Sequence, residues 1–205
     1  DWERIETTEK IVALTFDGGS SDAAVDSVLA TLAASQVPAT FFLTGDFARA
    51  YPERVSQIAA AGHRFGNHSD QHEAYPSLTN EEITADLARV EQAIAAGGGS
   101  TGKPFFRFPF GERTPEDIQV VNDNGYACIR WTVDTLGWKG TSGGITADIV
   151  RQRVLDGAQP GEIVLMHLGA NPDDGSTLDA DALPGMIQAL RDMGYTFVTL
   201  EAMLD

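Results

Sequence analysis

Lys10-Ile-Val-Ala-Leu-Thr-Phe-Asp-Gly-Gly19 is an apolar run, interrupted only by Thr15, that follows a lysine and is closed by an acid and two glycines. Such a run, short and bounded by a turn, reads as a strand buried on both faces, here residues 10–16. Directly after it, residues 22–34 put Val25, Val28, Leu29 and Leu32 on one face of a helix. A buried strand leading into an amphipathic helix is the unit from which parallel sheets are built.

The unit recurs along the chain. Residues 39–43, 63–67, 105–108, 127–133, 163–167 and 196–200 are further strand candidates. Residues 52–61, 79–96, 115–124, 146–156 and 180–193 are further helices. Thr79-Asn-Glu-Glu82 has the spacing of a capping box, and Gly62 stands where helices commonly stop. Seven strands alternating with six helices predict an α/β fold with a parallel sheet, open or closed into a barrel. With 205 residues, no dividing linker and no internal repeat, residues 1–205 are expected to form a single domain.

Composition narrows the function classes. The net charge of −16 argues against nucleic acid and anionic membrane surfaces, which need clustered Lys and Arg. No run approaches the roughly 18 apolar residues of a membrane span. The opening Asp1-Trp-Glu-Arg4 is not a leader; a mature exported chain reads the same way. The single cysteine, Cys128, forms no intrachain disulfide and reads as a small buried hydrophobe.

The chemistry concentrates at strand ends. Asp17, His68, Arg107, Asp134 and His167 each fall at or just after the C-terminal end of a strand candidate, and in a parallel fold those ends share one face. His68 and His72 are separated by three residues, which brings two imidazoles together if the segment coils helically. Asp17 suits a tight turn, and beside a metal it suits a general base. Arg107 at the head of Arg107-Phe-Pro-Phe-Gly111 can fix a carboxylate by a two-pronged contact, and the turn can present a backbone N–H to an oxyanion. His167 reads as a rim residue or, opposite a base, as a general acid. Trp131 and Trp138 flank Asp134 and suit core packing or stacking on a sugar. His63 reads as structural.

Taken in order, Thr15-Phe-Asp17, His68-Ser-Asp-Gln-His72, Arg107-Phe-Pro-Phe-Gly111, Asp134-Thr-Leu-Gly-Trp138 and Leu165-Met-His167 resemble the five motifs of the polysaccharide deacetylases, the NodB-homology family or carbohydrate esterase family 4. The resemblance spans about residues 10 to 200. It implies a distorted (β/α) barrel of about seven parallel strands. It implies Asp17 as base, Arg107 as the group that positions it, and His167 as acid. His68 and His72 match the metal ligands. Phe110 matches the oxyanion N–H, and Leu165 and Trp138 match the walls of the acetyl pocket. The implied cofactor is a divalent metal, zinc first, with cobalt or nickel able to use the same ligands.

The implied partner is an acetylated polysaccharide or oligosaccharide, met by a secreted or cell-wall-associated monomer. The implied reaction is N-deacetylation of N-acetylglucosamine polymers, with an O-acetyl xylan esterase as the alternative. An inactive carbohydrate-binding module is the alternative from another class.

Two positions depart from the family pattern. Gly18 stands where the first motif carries a metal-ligating aspartate, and Gly137 stands where the fourth motif carries an aspartate before its tryptophan. Asp22, beyond the Gly18-Gly19 loop, is either the N-cap of the next helix or a replacement metal ligand. Asp134 is the expected substitute for the missing carboxylate at position 137, paired with His167 or Arg107.

Overall fold

The computed structural model describes residues 1–204. Its centre is β1 (Ile11–Gly18), paired on one side with β2 (Thr40–Leu43) and on the other with β7 (Glu162–His167). Outward from β2 lie β3 (Arg64–Asn67), β4 (Phe105–Phe106) and β5 (Ala127–Cys128), and outward from β7 lies β6 (Val133–Asp134). A last strand, β8 (Thr196–Val198), pairs with Ile11–Ala13 of β1, while β2 takes Thr15 to Gly18. All these ladders are parallel.

The run 127–133, expected as one strand, is two. β5 and β6 occupy opposite edges of the sheet, with residues 129–132 between them. A flat sheet of this width would hold its edges about 29 Å apart, and the short connection spans at most about 17 Å. The sheet is therefore curled until its edges face each other, as the barrel expectation required. Residues 2–5 lie in the seam. Trp2 N–H donates to Cys128 O (2.8 Å), Arg130 N–H donates to Trp2 O (2.7 Å), and Ile5 N–H donates to Gly161 O (2.8 Å).

Among the described residues, seven α-helices surround the sheet: α1 (Val25–Ser35), α2 (Gly45–Ala50), α3 (Pro52–Ala60), α4 (Asn80–Ala96), α5 (Pro115–Asp123), α6 (Ala147–Gly157) and α7 (Leu178–Asp192). The Thr79–Glu82 capping box opens α4 as the spacing predicts. α2 was not foreseen, because six residues are too few to show a period. α1 begins three residues after Asp22, at an N-cap, Ala24, that offers no side-chain hydrogen bond. α7 begins at Leu178, two residues before its expected start, which brings Asp179 into its first turn.

Period-two alternation decides what β1 presents to each side. Val12, Leu14 and Phe16 pack outward with α1 and α7 residues such as Val28, Leu183 and Met186. Ala13 points inward with Phe42, Phe105, Ile129 and Ile163. By the same parity Thr15 and Asp17 face the interior, and Gly18 faces the outer apolar layer. Each fully buried aliphatic or aromatic side chain here contributes roughly 1.5–3 kcal/mol, so the scaffold that fixes Asp17 is strongly determined.

Candidate active site

The C-terminal ends of the strands enclose a cleft of about 820 Å³. Asp17, His68, His72, Phe110, Asp134, Trp138, Leu165 and His167 all line it. Asp17 and His167 are Cα partners across the β1–β7 ladder, so neighbouring backbones deliver the acid and the imidazole to one place. His68 directly follows β3, and its N–H donates to Leu43 O of β2. Arg107 directly follows β4, and its N–H donates to Asn67 O of β3.

Arg107 is fully buried and lies beneath the cleft. One guanidinium nitrogen donates to Asp17 Oδ1 (2.6 Å); the other donates to Thr15 Oγ1 (3.0 Å) and Arg130 O (3.2 Å). The contact with the carboxylate is therefore single, not the two-pronged one expected, because Thr15 takes the second prong. The Phe42 ring lies 4.2 Å from the guanidinium carbon and adds a cation–π contact. Burial pushes the Asp17 pKa up, but Arg107, by its charge and its hydrogen bond, together with His68 and His167, outweighs it and holds the carboxyl below its ordinary value.

His68 and His72 are brought together by a turn, not by a helix. Ser69 and His72 both adopt left-handed backbone, with φ of 67° and 59°. Ser69 Oγ accepts from His72 N–H (2.9 Å). The two rings lie 4.8 Å apart, nearly edge to face. Asp70, in the middle of the turn, is held by Arg49 (2.7 Å) and Arg89 (2.6 Å), which pins the segment.

His68 Nδ1 lies 2.9 Å from Arg107 O, which as an acceptor assigns the ring proton to Nδ1 and leaves the Nε2 lone pair free. Nε2 faces Asp17 Oδ2 at 3.3 Å. Burial holds both imidazoles toward the neutral form, His72 down to about 4. Neutral imidazoles are the form that binds metal.

The set does not extend to a third protein ligand. A Cβ at Gly18 would lie 2.8 Å from Leu43 Cδ2 and 3.2 Å from Leu168 Cδ1, in the apolar layer outside the strand. The structure does not bring Asp22 to the histidines. Its carboxylate accepts from Arg54 Nε (2.8 Å) of α3, and it is not among the residues lining the cleft. Among the described residues, no three His, Cys, Asp or Glu side chains are grouped to hold a metal ion. The donors present fit a divalent ion held by two imidazoles, with water or substrate completing its shell.

Around this centre the walls are apolar. Phe110 occupies a tight turn at φ 58°, and its ring meets His72 at 4.5 Å. Trp138 is 47 % exposed, and its indole N–H approaches Asp134 Oδ2 at 3.3 Å. Asp134 Oδ1 accepts from Leu136 N–H (2.8 Å), so both its oxygens serve its own loop. Asp134 was the expected partner of His167 or Arg107, and Arg107 pairs with Asp17. The carboxylate bound to His167 is instead Asp179, whose Oδ2 accepts the His167 backbone N–H (2.8 Å) and lies 3.8 Å from ring Nδ1. Burial lowers the His167 pKa, and Asp179, Asp17 and Asp134 more than reverse this, leaving it raised.

The loops at residues 137–144 and 169–177 border the cleft and are tied together. Asn171 Nδ2 donates to Trp138 O (2.9 Å), and Thr141 Oγ1 donates to Asp174 (2.9 Å). Thr44, Asp46 and Tyr51 also line the cleft and carried no motif in the sequence. His63, read as structural, packs at 5.2 Å from Phe41, away from the cleft.

The chain is similar to several known proteins. The chain is 33% identical to a peptidoglycan-N-acetylglucosamine deacetylase of Bacillus cereus, over 94% of this chain and 67% of the relative. It is 29% identical to a chitooligosaccharide deacetylase of Azorhizobium caulinodans, over 97% of this chain and 92% of the relative. Among solved structures, BA3943 of Bacillus anthracis, described as a pseudoenzyme of carbohydrate esterase family 4, superposes with a TM-score of 0.88 at 30% identity. That match covers 99% of this chain and 68% of the other. A mutant of BA3943 is described as having restored enzymatic activity. Residues 4–129 match the family model described as polysaccharide deacetylase. A curled parallel sheet with five motif segments at one rim, and relatives matched along almost all its length, place this chain in the polysaccharide deacetylase family.

Proposed function

We propose that this chain hydrolyses the acetamide of N-acetylglucosamine units in a polymer such as chitin, chitooligosaccharide or peptidoglycan. The observation that carries the reading is the pairing of Asp17 and His167 as ladder partners in one cleft, Asp17 ionised on Arg107 and His167 held toward its protonated form. Opposite protonation states on adjacent strands suit a base and an acid acting on the two ends of one bond.

His68 and His72 would hold the divalent ion, zinc first, with cobalt or nickel able to use the same donors. When bound, such an ion lowers the pKa of water and polarises the acetyl carbonyl. Asp17 takes a proton from the attacking water. The water oxygen bonds to the carbonyl carbon, the C–N bond breaks, and His167 gives its proton to the departing amine. Acetate and a free amino sugar result. The Phe110 N–H supports the oxyanion, while Leu165 and Trp138 enclose the acetyl methyl. The polymer is extracytoplasmic, so we place the chain, acting as a monomer, at the cell wall or outside the cell.

Acetate release from chitooligosaccharides and from N-acetylated peptidoglycan, with and without chelator, tests this reading. Release that stops on chelation and returns with zinc is expected. Absence of release from either substrate in the presence of zinc, cobalt or nickel would overturn it.

A second reading follows from Gly18. With its Cβ position facing Leu43 and Leu168 and no third ligand grouped with the histidines, the cleft also suits a glycan-binding domain without turnover, in line with its likeness to a pseudoenzyme. Retention of uncut oligosaccharide without acetate release would select that reading.

A further inference from the structure

The carboxylate missing from Gly137 is present in the same space, delivered by a different element. Asp179 lies in the first turn of α7 and is 3 % exposed. A Cβ at position 137 would lie 2.3 Å from Asp179 Oδ1 and 2.6 Å from its carboxyl carbon. No side chain fits at 137 while Asp179 keeps this pose. The glycine and the aspartate are two halves of one exchange.

Each Asp179 oxygen has a distinct task. Oδ1 accepts from Thr135 Oγ1 (2.6 Å), which fixes the carboxylate plane. Oδ2 accepts the His167 backbone N–H (2.8 Å) and faces ring Nδ1 at 3.8 Å. Nδ1 is buried and has no other hydrogen-bond partner among the described residues. A small rotation of the ring completes that bond. The proton then sits on Nδ1, and Nε2 is the nitrogen turned to the cleft.

We propose that Asp179 is the positioning residue for His167, supplying from α7 the carboxylate that Gly137 leaves out of the fourth motif. Asp179 touches no reacting atom. It sets the tautomer and orientation of His167 and favours the imidazolium from which the leaving nitrogen takes its proton. This rests on the deacetylase reading for its catalytic consequence, but not for the pairing itself.

Asp179→Asn is the mild variant, because the Thr135 hydroxyl can accept from the new amide while the remaining oxygen keeps the His167 N–H. Expected are a fall in kcat of about 100-fold with KM within about twofold, and an alkaline limb of the kcat profile moved to lower pH. The exchange Gly137→Asp with Asp179→Ala is expected to recover at least about tenfold over Asp179→Ala alone.

Titration of the His167 imidazole by NMR reads the pairing without turnover, and its pKa is expected to fall in Asp179→Asn. An unchanged His167 titration in a folded Asp179→Asn overturns the proposal, whatever the activity. A wild type that releases no acetate, with the titration shift present, overturns the deacetylase reading and leaves the pairing standing.

Discussion

Asp17 and Arg107 form a buried ion pair at 2.6 Å in which neither side chain has another full charge at hydrogen-bonding distance except His68, and then only when that ring is protonated. Arg107 is fully buried, so the pair serves structure as well as chemistry. Removing one partner leaves an uncompensated charge inside the barrel.

Asp17→Asn is therefore expected to act twice. Loss of the base lowers acetate release by about 10²–10⁴-fold. The stranded guanidinium lowers stability by about 3–5 kcal/mol, since breaking a buried pair costs that much. Thermal melts beside acetate assays check both. An unchanged Tm with activity lost would show that Thr15 and Arg130 O satisfy Arg107 unaided.

Metal binding is expected to rest on two side chains. His68→Ala or His72→Ala should abolish saturable zinc binding in calorimetric titration. Asp22→Ala should leave it unchanged, because that carboxylate is committed to Arg54. Loss of zinc affinity in Asp22→Ala would return Asp22 to the ligand set.

Gly18→Asp is expected to lower Tm in chelator, because it buries a carboxylate against Leu43 and Leu168. Zinc should restore Tm if the new oxygen reaches the ion. The readout is Tm with and without metal.

Glu162, at the start of β7, is fully buried, and neither of its carboxylate oxygens has a hydrogen-bond partner among the described residues. Burial pushes its carboxyl up to about 8. In the unfolded chain it ionises near 4.5, so the folded state holds the proton longer. Stability contributed by that proton is present below about pH 4.5 and is lost as pH rises toward 8. Glu162→Gln should flatten this slope and raise Tm at pH 8. Equal slopes in the two proteins would show that Glu162 ionises normally.

Trp138 is half exposed on a short turn beside the cleft, so Trp138→Ala should barely change Tm. Loss of a stacked sugar should raise KM for the polymer by about threefold to tenfold, equivalent to roughly 0.5–1.5 kcal/mol. Steady-state kinetics on oligomers of increasing length would show it.

Features encoded locally were legible in the sequence. The Thr79–Glu82 box opened α4 where expected, and the apolar run at Lys10 became β1. The five strand-end groups were legible because parallel topology sends them to one rim. What escaped depends on distant partners. The run 127–133 is mostly apolar, with only Arg130 and Thr132 as polar residues, and nothing in it says that Cys128 pairs toward β4 while Val133 pairs toward β7. Asp22 looked free to fold back, and Arg54, 32 residues away, holds it. Asp179 carries no motif in the sequence and lies just before the expected helix; only the space above Gly137 reveals its task.

The seam between β5 and β6 has a consequence for how the molecule meets its neighbours. Two strand edges that face solvent would recruit other chains by backbone pairing. Here Trp2 bridges to Ile129 and Arg4 to Glu162, so the N-terminal segment works as a built-in zip over the gap. Clipping residues 1–5 should leave the rim chemistry in place but convert a self-contained barrel into one that sticks to copies of itself.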